Sequence, residues 1–272
     1  MKKTSISLYV FQVFKCLIYV LLTANIFFFY QEESLAVKST FSQGISITDI
    51  IQGFAATLDT AAWVMLLFLF ELNTSEYLKR LDSLNNAFIA KNFIRIFSYG
   101  LICYAFFGYL LKYILLINIE PFIIDDVCSL VDQGYYLIEN LDEYPLMTAS
   151  NCLALSNNPL FVLSGQAILG TKSDWQAIQN LGLVDIINSG TWILVVMIIE
   201  LEVLFGSKLV TTRLKFLNLK ILKTILYLIL FSAAAFWGFK GDFLDFWDAF
   251  LWLVAFFFIE LNLLKIGQPQ TN

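Results

Sequence analysis

Six long apolar runs constrain this chain more than any other feature: Leu8–Tyr30, Ile50–Leu72, Phe93–Ile117, Ile186–Phe205, Ile221–Phe239 and Phe243–Leu264. A bilayer core takes roughly 20 apolar residues as helix. Backbone facing lipid must satisfy its own hydrogen bonds, so the runs are predicted to be helices rather than open strands. Charged residues are 14% of the chain, against about a quarter in soluble domains. The fifth and sixth runs are joined by Lys240-Gly241-Asp242 alone, which predicts a tight helical hairpin.

Basic residues predict the orientation. Lys2, Lys3 and Lys15 lie at the start, Lys79, Arg80, Lys91 and Arg95 around the second connection, and Lys208, Arg213, Lys215, Lys220 and Lys223 around the fourth. Lys265 follows the last run. By the positive-inside rule these mark the cytoplasmic side. The other connections hold Lys38, Lys172 and Lys240 but are rich in acid, with Glu32, Glu33, Glu120, Asp125, Asp126, Asp132, Glu139, Asp142, Glu143 and Asp174 among others. The chain is thus expected in the cell (inner) membrane with both termini cytoplasmic. The first run is interrupted by Gln12 and Lys15 and lacks a small-x-small cleavage site after it, so it reads as a retained helix, not a signal peptide.

A repeated pattern runs through the even helices. Trp63, Trp192 and Trp252 are each followed eight residues later by Glu71, Glu200 or Glu260, then Leu. Four residues before each Trp stands Asp59, Asn188 or Asp248. The odd helices carry Lys15-x3-Tyr19, Arg95-x3-Tyr99 and Lys223-x3-Tyr227. Self-similarity of this kind predicts three consecutive hairpins inserted the same way, related by an axis along the membrane normal. The expected fold is an all-α polytopic membrane protein, a pseudo-threefold bundle of six transmembrane helices. Hairpin one with its linker covers 1–92, hairpin two 93–117 and 186–220, and hairpin three with the tail 221–272. A small disulfide-containing extracytoplasmic domain is inserted at 118–185.

Intramembrane ionisable groups pair or face a cavity. Lys15, Arg95 and Lys223 lie at about the depth of Glu71, Glu200 and Glu260, which predicts three cation–carboxylate pairs near the cytoplasmic side. These are either structural locks or a gate around a central path. Asp59, Asn188 and Asp248 form a second layer about 18 Å away. The small residues Ala55, Ala56, Ala61 and Ala62 around Asp59 predict close helix contact. Lys112 is expected either to pair with Asp59 or Asp248 or to snorkel outward. Such a layer suits a cation or proton site, or equally a packing network.

In the insertion, Cys128 and Cys152 are the only cysteines outside the runs, and a disulfide between them is expected. "DDVCSLVDQGYYLIENLDEY" reads as an amphipathic helix through Val127, Leu130, Val131, Leu137, Ile138 and Leu141. "SDWQAIQNLGLVDII" reads as a helix capped by Ser173 or Asp174 that leads into the fourth run. "NNPLFVLSGQAILG" fits strand or helix. The segments "SEYLKRLDSLNNAFIAKNF" and "SKLVTTRLKFLNLK" read as basic interfacial helices on an anionic leaflet.

The chain has no His, which removes imidazole base chemistry and most zinc, copper and haem sites. No phosphate-binding glycine loop, nucleophile elbow or metal-spaced cluster is present. An enzyme, a cofactor, a resident metal and a nucleic-acid partner are therefore not expected. The expected partners are the lipid bilayer, a further copy of the chain or another membrane protein. The leading functional expectation is permeation of a proton, small cation or small solute along the repeat-related charges. The other is a non-transporting membrane subunit or partner-binding scaffold held together by those charges.

Overall fold

The computed structural model describes residues 2–40, 47–74, 85–155, 158–209 and 213–266, with side chains over 9–40, 50–72, 89–155, 158–201 and 219–257. Its helices are α1 (Lys2–Thr40), α2 (Ile47–Gly53), α3 (Ala55–Thr74), α4 (Asn85–Ile117), α5 (Lys172–Leu209), α6 (Arg213–Lys240) and α7 (Phe243–Ile266). Among the described residues, five segments are long and apolar enough to cross a membrane: Tyr9–Thr40, Ala55–Leu72, Ile89–Ile117, Lys172–Leu201 and Leu219–Lys240. The sixth expected span is helical as α7, but its side chains are described only to Phe257. The interfacial segment expected before α4 lies mostly outside the described residues.

The chain divides into two compact units, one of residues 1–27 with 191–272 and one of residues 28–190. In the first, α6 and α7 form the expected hairpin. Gly241 takes φ 87°, and the Asp242 amide donates to the Trp237 carbonyl at 3.1 Å. This is the Schellman ending that a left-handed glycine permits. Asp242 then starts α7, its carbonyl accepting from the Phe246 amide at 3.2 Å. Trp192 and Phe256 pack with ring centres 4.5 Å apart.

In the second unit the second expected run is not one helix. The chain bends at Phe54 between α2 and α3. Gly53, a poor helix former with no side chain to pack, ends α2. Ala55 and Ala62 are buried, at 1% and 0% exposure, as the small-residue reading anticipated. At Gly108 of α4 an added Cβ would lie 2.6 Å from the Ile51 carbonyl oxygen, so α2 crosses α4 at backbone contact.

The insertion corrects the all-α expectation. It holds a four-stranded sheet ordered β1-β3-β4-β2, with β1 at Ile119–Phe122, β2 at Tyr136–Leu137, β3 at Leu160–Leu163 and β4 at Ile168–Thr171. β3 pairs antiparallel with β1 and with β4, and β2 pairs parallel with β4. The ambiguous "NNPLFVLSGQAILG" is the β3–β4 hairpin, turned at Gly165 with φ 75°. The predicted amphipathic helix is a short 3-10 turn, Val127–Leu130, followed by β2. Asp132 at φ 64° and Gly134 at φ 80° leave right-handed helical space and stop it. Its apolar residues still face a core: Val127 and Leu130 are buried with Met147, Cys152, Leu155, Leu160 and Leu169, and the half-buried Val131 and Leu137 pack against them. Cys128 and Cys152 form the expected disulfide, with Cα atoms 5.2 Å apart.

α5 is one helix from the end of β4, and its cap is Thr171. The Thr171 hydroxyl accepts from the Asp174 amide at 3.3 Å, and Asp174 Oδ2 accepts from the Thr171 amide at 2.9 Å. This is the reciprocal box that an acidic residue three positions after a Thr can make. The wholly buried Trp175 donates its indole N–H to the Phe161 carbonyl at 3.1 Å and so seats the sheet on α5.

Candidate functional site

Two polar centres stand out, one in each unit. In the unit of residues 28–190 the centre forms around the bend at Phe54. Glu33 of α1 is only 2% exposed. Its Oε1 accepts from the Ala56 amide at 2.8 Å, and its Oε2 accepts from the Thr57 amide at 3.0 Å and the Thr57 hydroxyl at 2.6 Å. The first amides of any helix have no partner within it. In an apolar surrounding an unsatisfied amide is costly. Glu33 thus caps α3 from a different helix, with its charge on the favourable end of the helix dipole.

Lys112 of α4 donates to both carboxylate oxygens of Asp142 at 2.7 and 2.8 Å. The two side chains are 13% and 18% exposed, so the pair is largely but not wholly withdrawn from water. This is neither of the partners expected for Lys112, nor is it an outward-pointing side chain. A carboxylate of the insertion reaches it first. Asp185, Tyr144 and Glu33 also act electrostatically on Lys112. Tyr144 donates its hydroxyl to the Leu141 carbonyl at 2.6 Å. Burial, with Asp142 beside it, pushes the Tyr144 phenol above its usual range, so it stays neutral. Gln52, at the end of α2, donates to the Leu111 carbonyl at 3.4 Å. A cavity of about 30 Å³ touches Thr40, Gln52, Gly53, Lys112, Asp142 and Tyr144. That is room for a water or two among groups able to hold them.

In the unit of residues 1–27 and 191–272, Asn25 Nδ2 donates to Asp248 Oδ1 at 2.7 Å. The Trp252 side chain also donates to Asp248. The Asp-x3-Trp spacing therefore has a physical content in this copy: four residues place the indole one turn on, leaning back toward the carboxylate. The Lys-x3-Tyr spacing likewise brings the Lys15 ammonium over the Tyr19 ring, 5.8 Å from its centre.

The remaining predicted positions fall in both units. Asp59 is buried and accepts a long 3.5 Å hydrogen bond from the Tyr109 hydroxyl. Asn188 is half-buried. Both belong to the unit of residues 28–190, whereas Asp248 belongs to the other. Glu71, Glu200, Lys15 and Lys223 are half-buried and Arg95 is exposed. The Glu260 side chain lies outside the described residues. Sequence reasoning passed over Glu33, Asn25, Asp142 and Asp185. Glu33 gave one available signal, a Glu-Glu pair at the end of an apolar run. Among the described residues no cluster of three or more His, Cys, Asp or Glu is arranged to hold a metal ion.

No known family, characterised protein or solved structure matches this chain. The several long apolar helices define an integral membrane protein of the multi-pass helical class.

Proposed function

We propose that this chain is a permeation protein for a proton or another small cation. The observation that carries the reading is the buried Glu33 at the bend at Phe54, where α2 meets the start of the Ala55–Leu72 segment. Irregular backbone at membrane depth occurs where it is buried in protein or lines a watered cavity, and broken helices are a recurrent way to build ion sites. The Lys112–Asp142 pair and the small cavity at Gly53 extend this polar region. In the proposed orientation both termini are cytoplasmic, residues 118–185 are extracytoplasmic, and the Glu33 centre is the outer end of the path. Asp59, Asn188 and Asp248 lie further along it. Glu71, Glu200 and Glu260 with Lys15, Arg95 and Lys223 form the cytoplasmic gate, one member from each of three repeated hairpins.

The test is flux into proteoliposomes read by an internal pH dye or by cation uptake. Wild type is expected to conduct, and Glu33→Gln and Asp59→Asn are each expected to reduce flux at least tenfold. Absence of flux from correctly inserted wild-type protein overturns the reading.

A second reading is a non-transporting subunit or partner-binding scaffold. It is favoured by the way the charges close on partners inside the protein, Lys112 on Asp142 and Asp248 on Asn25. It is also favoured by a groove of about 380 Å³ on the insertion, between Phe122, Ile123, Asp125, Asp126 and Phe161. Silent liposomes together with a stoichiometric partner in native mass spectra would support this reading.

A further inference from the structure

We propose that Glu33 is a proton-binding site that works the joint between α2 and α3. Both of its oxygens accept amide hydrogens, one from Ala56 and one from Thr57. That pattern belongs to an ionised carboxylate. A carboxyl that takes a proton on one oxygen turns that oxygen into a donor, and an amide facing it loses its acceptor. No residue of α3 can replace the lost bond, because the first amides of a helix have no partner within it. Protonation therefore breaks one of the two amide bonds by which α1 caps α3 and loosens the joint at the bend, and loss of the proton restores it.

The surroundings suit a proton. The groups facing the site are Thr57 from α3, Lys112 from α4 and Asp142 from the insertion. Asp185 from α5 and Tyr144 from the insertion act in turn on Lys112. The centre thus sets Glu33 within the field of the Lys112–Asp142 pair. The partly exposed Lys112–Asp142 pair lines the same water-sized cavity as Gly53, the residue at which α2 ends. Gly108 sets α2, and Ala55 at the start of α3, closely against α4. The proposal deepens the permeation reading and rests on it only for the use made of the proton.

The experiment is amide hydrogen exchange on the full chain in liposomes, at about pH 8 and about pH 4, values that bracket carboxyl titration. Rates are corrected for the intrinsic pH dependence of exchange. Protection of one of the two amides, Ala56 or Thr57, is expected to fall about tenfold or more on acidification, while the rest of α3 is unchanged. Glu33→Gln, which offers one acceptor oxygen, is expected to show the low protection at both pH values. Thr57→Val removes only the hydroxyl that donates to Oε2, so the pH at which protection is lost is expected to rise. This variant serves where Glu33→Gln does not fold. Equal protection of wild type at both pH values, or an unmoved transition in Thr57→Val, overturns the proposal. Switching without flux would remove the permeation reading alone, and flux without switching would remove this proposal alone.

Discussion

At the scale of single residues, several buried charges close on partners within the protein. Lys112 and Asp142 are the clearest pair, since two short bonds hold side chains that are mostly out of water. Removing one partner of such a pair leaves a charge uncompensated, whereas removing both can be nearly neutral. Asp142→Ala is expected to lower stability by about 2–4 kcal/mol, read as thermal unfolding in detergent. The double variant Lys112→Met with Asp142→Leu is expected to recover most of that loss, and a double variant as unstable as Asp142→Ala would show that the pair is not the unit. The position of Lys112 within a predicted span was legible in the sequence. Its partner was not, because Asp142 is 30 residues away, across a sheet and a turn that no periodicity reveals.

At the scale of elements, glycine decides where helices can meet. Gly108 has the Ile51 carbonyl oxygen 2.6 Å from where its Cβ would sit, a backbone atom that cannot swing aside. Gly100 in the same helix has nothing within 4 Å of the corresponding position. Gly108→Ala is therefore expected to destabilise by about 1–3 kcal/mol. Gly100→Ala is expected to be neutral or slightly stabilising, since alanine favours helix. Circular dichroism melts of the two variants make the comparison, and equal melts would refute the close crossing. The same scale explains the misread helix at 125–144. Its apolar residues do face a core, as the pattern implied, but left-handed backbone at Asp132 and Gly134 turns them inward from loops and a strand. Spacing alone did not distinguish these ways of burying one side of a segment. The α6–α7 hairpin was legible because three residues leave one geometry, and the glycine stands where that geometry needs it.

At the scale of the whole molecule, the insertion carries a small apolar core and one covalent closure. The disulfide closes a loop of sequence separation 24. Loops of that size gain about 3 kcal/mol from cross-linking in the chain-entropy account. Cys128→Ser with Cys152→Ser is expected to lower the stability of the insertion by about that amount and to leave helix content unchanged, as read by proteolysis and circular dichroism. In cells, thiol labelling of the native chain is expected at Cys16 and Cys103 only. Labelling of Cys128 in unreduced protein would place the insertion on a reducing side and reverse the proposed orientation.

What the sequence by itself determined is what depends on neighbours along the chain. Apolar runs too long and too poor in charge for a soluble core made membrane helices. Lys240-Gly241-Asp242 made a turn, and isolated cysteines in one insertion made a disulfide. The four-residue spacings before Trp252 and after Lys15 became contacts because a helix brings such positions together by itself. Tertiary structure decided the rest. Glu33 caps a helix whose first amides lie 23 and 24 residues ahead of it, and Asn25 reaches a carboxylate 223 residues away. These partners meet only when helices pack. The physical reason for their meeting is the cost of leaving a buried amide or carboxylate unsatisfied, and no local pattern shows which group will meet that need.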